Sequence, residues 1–81
     1  MKVFAVYTHD YTGEAGMMVF SSLEAAKRGI REDIENVVAI LREDKYEAKC
    51  TGEQDGDYFE IYVPDTDIYY EWSLFDTELR D

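Results

Sequence analysis

The sequence predicts an α+β domain of two layers: a mostly antiparallel sheet, in the order β-β-α-β-β-β, with one long amphipathic helix packed on one face. Three observations carry this. Residues 21–44 repeat apolar side chains at steps of three and four, the period of a helix with one buried stripe. The segments on either side are rich in aromatic and β-branched residues that alternate with polar ones. Turn residues separate those segments at hairpin distances. With 81 residues the whole chain, 1–81, is expected to form one domain.

"KVFAVYT" (Lys2–Thr8) has apolar residues on both alternating sets, as a strand buried on both faces or central in a sheet requires. "HDYTGEAG" supplies turn chemistry, and "MMVF" (Met17–Phe20) returns as a short second strand, giving a hairpin. In the helix, Ser21 and Glu24 have the spacing of a capping box, with Phe20 as the preceding staple residue. Leu23, Ala26, Ile30, Ile34, Val37 and Leu41 form the stripe, while Glu24, Lys27, Arg28, Arg31, Glu35 and Arg42 fall largely elsewhere. Gly29 inside it costs about 1 kcal/mol relative to alanine and marks a site for a bend. "YEAKCT" (Tyr46–Thr51), a turn with the hairpin signal Asp55-Gly56, and "YFEIYV" (Tyr58–Val63) follow. Pro64 ends that strand, because it has no N–H for the ladder. "DIYYEWSLFDTEL" makes a long last strand. The stripe residues Leu23, Ile30, Ile34, Val37 and Leu41 are expected to pack on Phe59, Ile61, Ile68 and Trp72.

Charge is the strongest compositional signal. The net charge is −11, which disfavours direct binding to nucleic acid or to an anionic membrane. It is unevenly placed: residues 1–49 hold nine acids and seven bases, residues 50–81 ten acids and the single base Arg80. A hydrophobic share of 46% is too rich for a disordered acidic tail. No apolar run reaches the roughly 20 residues of a membrane span, and "MKVFAVYTHD" turns polar too early for a signal peptide. A lone cysteine cannot form an internal disulfide. These features together predict a cytoplasmic protein.

Alternation sorts the last two strands by face. Phe59, Ile61 and Val63, with Ile68, Tyr70, Trp72 and Leu74, belong under the helix. Tyr58, Glu60 and Tyr62, with Asp67, Tyr69, Glu71 and Ser73, belong on the open face. One explanation is that a one-sided sheet needs a polar outer face and that tyrosine suits strands. The other is that tyrosine beside carboxylate suits a partner bearing Arg and Lys. The near-absence of bases from the C-terminal third favours the second, so Tyr58, Glu60, Tyr62, Asp67, Tyr69 and Glu71, with Asp55 and Asp57 of the preceding turn, form the candidate partner-binding set. The expected partner is a basic, nucleic-acid-binding protein; a homodimer through an open sheet edge is the rival arrangement.

Catalytic chemistry is not predicted. His9 reads as a solvated loop residue with no local nucleophile, and Cys50 as a small buried hydrophobe. "EQDGD" and "DTD" lack the length and ligand order of a calcium loop, and no phosphate-cradling glycine loop or zinc spacing occurs. The expectation is no enzyme, no metal and no cofactor.

"MKVFAVYTHDYTGEAGMMVFSSLEAAKRGI", strand, turn and "VFSS" before a capped helix, together with "IYYEW" in the last strand, resembles small proteins of bacteriophages and mobile elements. Acidic phage proteins of this size include anti-CRISPR inhibitors, some of which mimic nucleic acid. The resemblance implies an inhibitor that acts inside a bacterial host cell by occupying the basic groove of a defence protein. It carries over no individual binding residue.

Overall fold

The computed structural model describes residues 1–52 and 56–78. The elements follow in the expected order: β1 (Lys2–Asp10), β2 (Ala15–Phe20), α1 (Leu23–Glu43), β3 (Lys49–Gly52), β4 (Tyr58–Tyr62) and β5 (Tyr69–Glu78). All ladders among the described residues are antiparallel, and the strand order is β2-β1-β5-β4-β3. Thus β5 inserts between β4 and β1 as the central strand, β1 and β4 are interior on either side of it, and β2 and β3 are the edges. An interior position accounts for the apolar character of β1 on both alternating sets: Val6 is buried on the helix side, and Val3 and Ala5 are buried on the other.

One layer of core joins helix to sheet. Ala26, Ile30, Ile34 and Leu41 meet Val6, Phe59, Ile61, Val63, Trp72 and Leu74, with Val37 and Ile68 partly buried against them. Leu23, expected in this stripe, is 42% exposed; it is the first residue of α1, and the buried stripe begins one turn in, at Ala26. The Trp72 indole N–H donates to the Asp33 carboxylate at 3.1 Å, so the buried ring brings its polar atom to a partner on the helix. Gly29 has a packing reason: a Cβ there would stand 2.7 Å from Phe20 Cζ, so glycine lets the helix ride close to the end of β2.

Several boundaries differ from expectation, each for a local reason. The N-cap is Ser22, not Ser21: its hydroxyl accepts from the Ala25 amide at 3.1 Å, which places Glu24 in the first turn without the reciprocal capping-box bond. β1 continues through His9 to Asp10, because the turn closes later, with the Asp10 amide bonding Glu14 O at 3.1 Å. In that turn the Thr12 hydroxyl and amide bond the Asp10 carboxylate and hold its pKa below the usual value. β3 starts at Lys49 rather than Tyr46, since the helix exit takes those residues: Tyr46 N–H bonds Leu41 O at 2.9 Å and Lys45 N–H bonds Arg42 O at 3.0 Å, with Lys45 left-handed at φ 63°. This is a Schellman turn with lysine where glycine is usual. β4 ends before Pro64, and the turn after it is closed by Val63 N–H to Ile68 O at 3.0 Å, so β5 begins only at Tyr69.

Cys50 is exposed, contrary to expectation. It points to the helix side opposite Ile61, but β3 is an edge strand and, among the described residues, no further strand flanks it. No helix among the described residues is long and apolar enough to cross a membrane.

Candidate interaction surface

The cross-strand register defines the face of the sheet that carries no helix. Val3, Ala5, Tyr7 and His9 of β1 stand opposite Thr77, Phe75, Ser73 and Glu71 of β5. Beyond β5, Tyr58, Glu60 and Tyr62 oppose Ser73, Glu71 and Tyr69; beyond β4, Lys49 and Thr51 oppose Tyr62 and Glu60. On the other flank, Ala15, Met17 and Val19 of β2 oppose His9, Tyr7 and Ala5. Directly paired side chains share a face, so all of these residues lie on the open one.

This face has two halves of different chemistry. In the first, one row runs Thr51, Glu60, Glu71, His9 across four strands. Glu60 and Glu71 are like charges placed directly opposite, an arrangement that is unfavourable unless other groups offset it. Here they do. The Tyr58 hydroxyl donates to Glu71 Oε2 at 3.0 Å and lies 3.5 Å from Glu60 Oε2, so one phenol bridges the two carboxylates. The Thr51 hydroxyl donates to Glu60 Oε1 at 3.3 Å. His9 Nδ1 is 3.2 Å from Glu71 Oε1 and 3.2 Å from the Tyr69 hydroxyl. With its proton on Nδ1 the ring donates to Glu71; without it, Nδ1 accepts from Tyr69. The His9 and Glu71 side chains are 29% and 28% exposed, which leaves this network half-covered and open to a partner from above.

Tyr58 is held as a neutral donor. Burial first, then its bond to Glu71 and the negative charge of Glu60, push its pKa up to about 12. A phenolate there would sit between two carboxylates.

The second half lies over β1, β2 and the C-terminal part of β5 and carries apolar groups. Ala5 is only 2% exposed although no layer of the described residues covers it; its directly paired neighbours Val19 and Phe75 flank it on either side. Those neighbours remain open themselves: Tyr7 is 37%, Met17 57%, Val19 60% and Phe75 43% exposed.

Of the residues expected to bind a partner, Tyr58, Glu60, Tyr62, Tyr69 and Glu71 come together on the first half. Asp67 does not join them: it is exposed in the turn before β5, off the strand. Asp57 is exposed just before β4, its carbonyl accepting from the Leu74 amide at 2.8 Å, so it flanks the surface. Asp55 lies outside the described residues. His9 was missed as a member, because the polar "HD" pair reads as the start of a turn; the odd-numbered alternation Val3, Ala5, Tyr7 extended by one step would have placed it. The same extension beyond Ser73 places Phe75. No group of three or more metal-ligating side chains occurs among the described residues.

The fold and this face define an α+β two-layer domain with a bare sheet surface, part acidic and aromatic, part apolar. Comparison with protein-family models, curated proteins and solved structures returns no match.

Proposed function

We propose that this chain is an acidic protein-binding module that docks the tyrosine and carboxylate half of its open face on a basic, nucleic-acid-binding surface of another protein. The observation that supports this best is the Glu60–Glu71 pair: two carboxylates directly opposite one another, oriented by Tyr58, Thr51 and His9, on a face over which the described residues place no layer. Stability alone does not call for like charges in that position. An Arg or Lys brought by a partner gains charge-assisted bonds to carboxylates already held in place, and the rings of Tyr58, Tyr62 and Tyr69 offer apolar area and cation–π contact around them. The surplus of acid over base in the whole chain steers such a partner and repels nucleic acid.

The finer reading is an inhibitor of a bacterial defence protein, of the anti-CRISPR kind, that takes the place of nucleic acid in a basic groove. It rests on the resemblance of the opening residues together with the acidity of this face. The test is capture from bacterial lysate at low and at high salt, by the wild type and by Glu60→Gln/Glu71→Gln, followed by asking whether the captured protein loses its nucleic acid when the wild-type chain is added. Expected are a basic protein retained at low salt only, weak retention by the double variant, and displacement of nucleic acid. Equal retention by both chains, or a captured protein that binds this chain and nucleic acid together, overturns the proposal.

A further inference from the structure

We infer that the chain pairs with a second copy of itself through the edge of β2, making one continuous antiparallel sheet of ten strands. The first ground is backbone geometry. The Asp10 amide bonds Glu14 O, and hydrogen-bonded pairs alternate along an antiparallel ladder, so Gly16, Met18 and Phe20 direct their N–H and C=O groups at β1. Ala15, Met17 and Val19 then direct theirs away from the sheet. That row is a template for one more strand.

The second ground is what this edge lacks. "AGMMVF" carries no charge and no proline, the usual devices that keep an edge strand single. The opposite edge, β3, is four residues long, carries Lys49 and ends at Gly52 with φ 85°. Its neighbour on the open face is the acidic half, where a second copy would bring carboxylate to carboxylate.

The third ground is complementarity under a two-fold axis. With Met17 opposite Met17 of the other copy, Ala15 meets Val19 on both sides and all three pairs are of the hydrogen-bonded kind. Glu14, the acid that adjoins the strand, then falls opposite Phe20 and not opposite another acid. The exposed side chains of Met17 and Val19, backed by Tyr7 and Phe75, run on across the axis as one apolar strip. Two chains of charge −11 repel, and this pairing is the one that holds their acidic halves apart. At about 4.8 Å per strand the two β4 strands stand seven spacings, roughly 34 Å, from each other, several times the ~8 Å screening length of physiological salt.

Sedimentation of the intact chain over a range of concentrations, at 0.05, 0.15 and 0.5 M NaCl as chosen probe conditions of about threefold steps, tests this. A monomer–dimer equilibrium that tightens as salt rises is expected, the reverse of the salt response of docking on a basic groove. Met17→Lys, at an exposed position, sets two cations against each other at the axis; Met17→Pro removes an edge N–H without touching the β1 ladder. Each is expected to raise the dimer dissociation constant at least about tenfold with an unchanged circular dichroism spectrum. A chain that stays monomeric at every salt, or a dimer that both variants leave intact, overturns the inference. So does a monomer that takes up an unrelated extended peptide on β2, since the edge would then serve a foreign strand.

Discussion

The two halves of the open face obey the same alternation and share strands β1 and β5, yet they solve exposure differently. Over β3, β4 and β5 the side chains are polar and bond one another: Tyr58 to Glu71, Thr51 to Glu60, His9 to Glu71 or Tyr69. Over β1 and β2 they are apolar and shield the backbone: Val19 and Phe75 flank Ala5 while staying open themselves. A bare sheet face is therefore two surfaces, one offering oriented charge and the other offering apolar area and a free strand edge. Their partners differ accordingly, and so does their response to salt.

Ala5→Asp places an unpaired charge between Val19 and Phe75 and is expected to cost on the order of 3–5 kcal/mol, a large part of the stability of a domain this small. A loss below about 1 kcal/mol by denaturant unfolding would show that the apolar half is not closed. Ile34→Ala, in the core beneath both halves, is expected to cost about 2–5 kcal/mol and so sets the scale for a buried position.

The polar half is expected to give smaller, asymmetric effects. Glu71 takes the closer Tyr58 bond and faces His9, whereas Glu60 takes bonds from Thr51 at 3.3 Å and, weakly, Tyr58. Glu71→Gln should cost about 1 kcal/mol, net of relieved repulsion, and Glu60→Gln about zero. Equal costs would mean that the network does not discriminate between the carboxylates. This differs from what charge counting alone suggests, namely that neutralising this face leaves stability unchanged or raises it. Alkaline pH sharpens the point. The pKa of Tyr58 in the fold, about 12, lies above the ordinary phenol value of 10.0. Its contribution is therefore complete below pH 10 and lost as pH rises through 12, so the advantage of the wild type over Tyr58→Phe should shrink in that window. Phenolate absorbance should record Tyr58 and Tyr70 titrating late in the wild type, with one fewer late tyrosine in the variant.

Much of this was legible before any coordinates. The three- and four-residue steps of α1 and the strict alternation of β4 and β5 sort core from surface by elementary geometry, and Ile30, Ile34, Leu41, Phe59, Ile61 and Trp72 sit where that geometry puts them. What local pattern does not encode is which strands become neighbours. The insertion of β5 beside β1 sets His9 against Glu71, puts Ala5 beside Phe75 and leaves β2 as an edge. Cys50 looked buried because its alternating neighbours are apolar, but burial also needs a strand or helix on its flank, and an edge strand has none. Gly29 looked like a bend; only the path of β2 into the helix brings Phe20 over it. The apolar half went unread because its members come from three strands and none holds more than two of the exposed ones.

A basic partner is expected to use the acidic, aromatic half and to leave the β2 half alone. Amide and side-chain chemical shifts of the labelled chain, recorded with and without the protein captured at low salt, test it most directly. Perturbation is expected at Tyr58, Glu60, Tyr62, Tyr69, Glu71 and His9, reversed by high salt, with Met17 and Val19 unmoved. Shifts confined to β2 and Phe75, or a set on the helix face that persists in high salt, would contradict it.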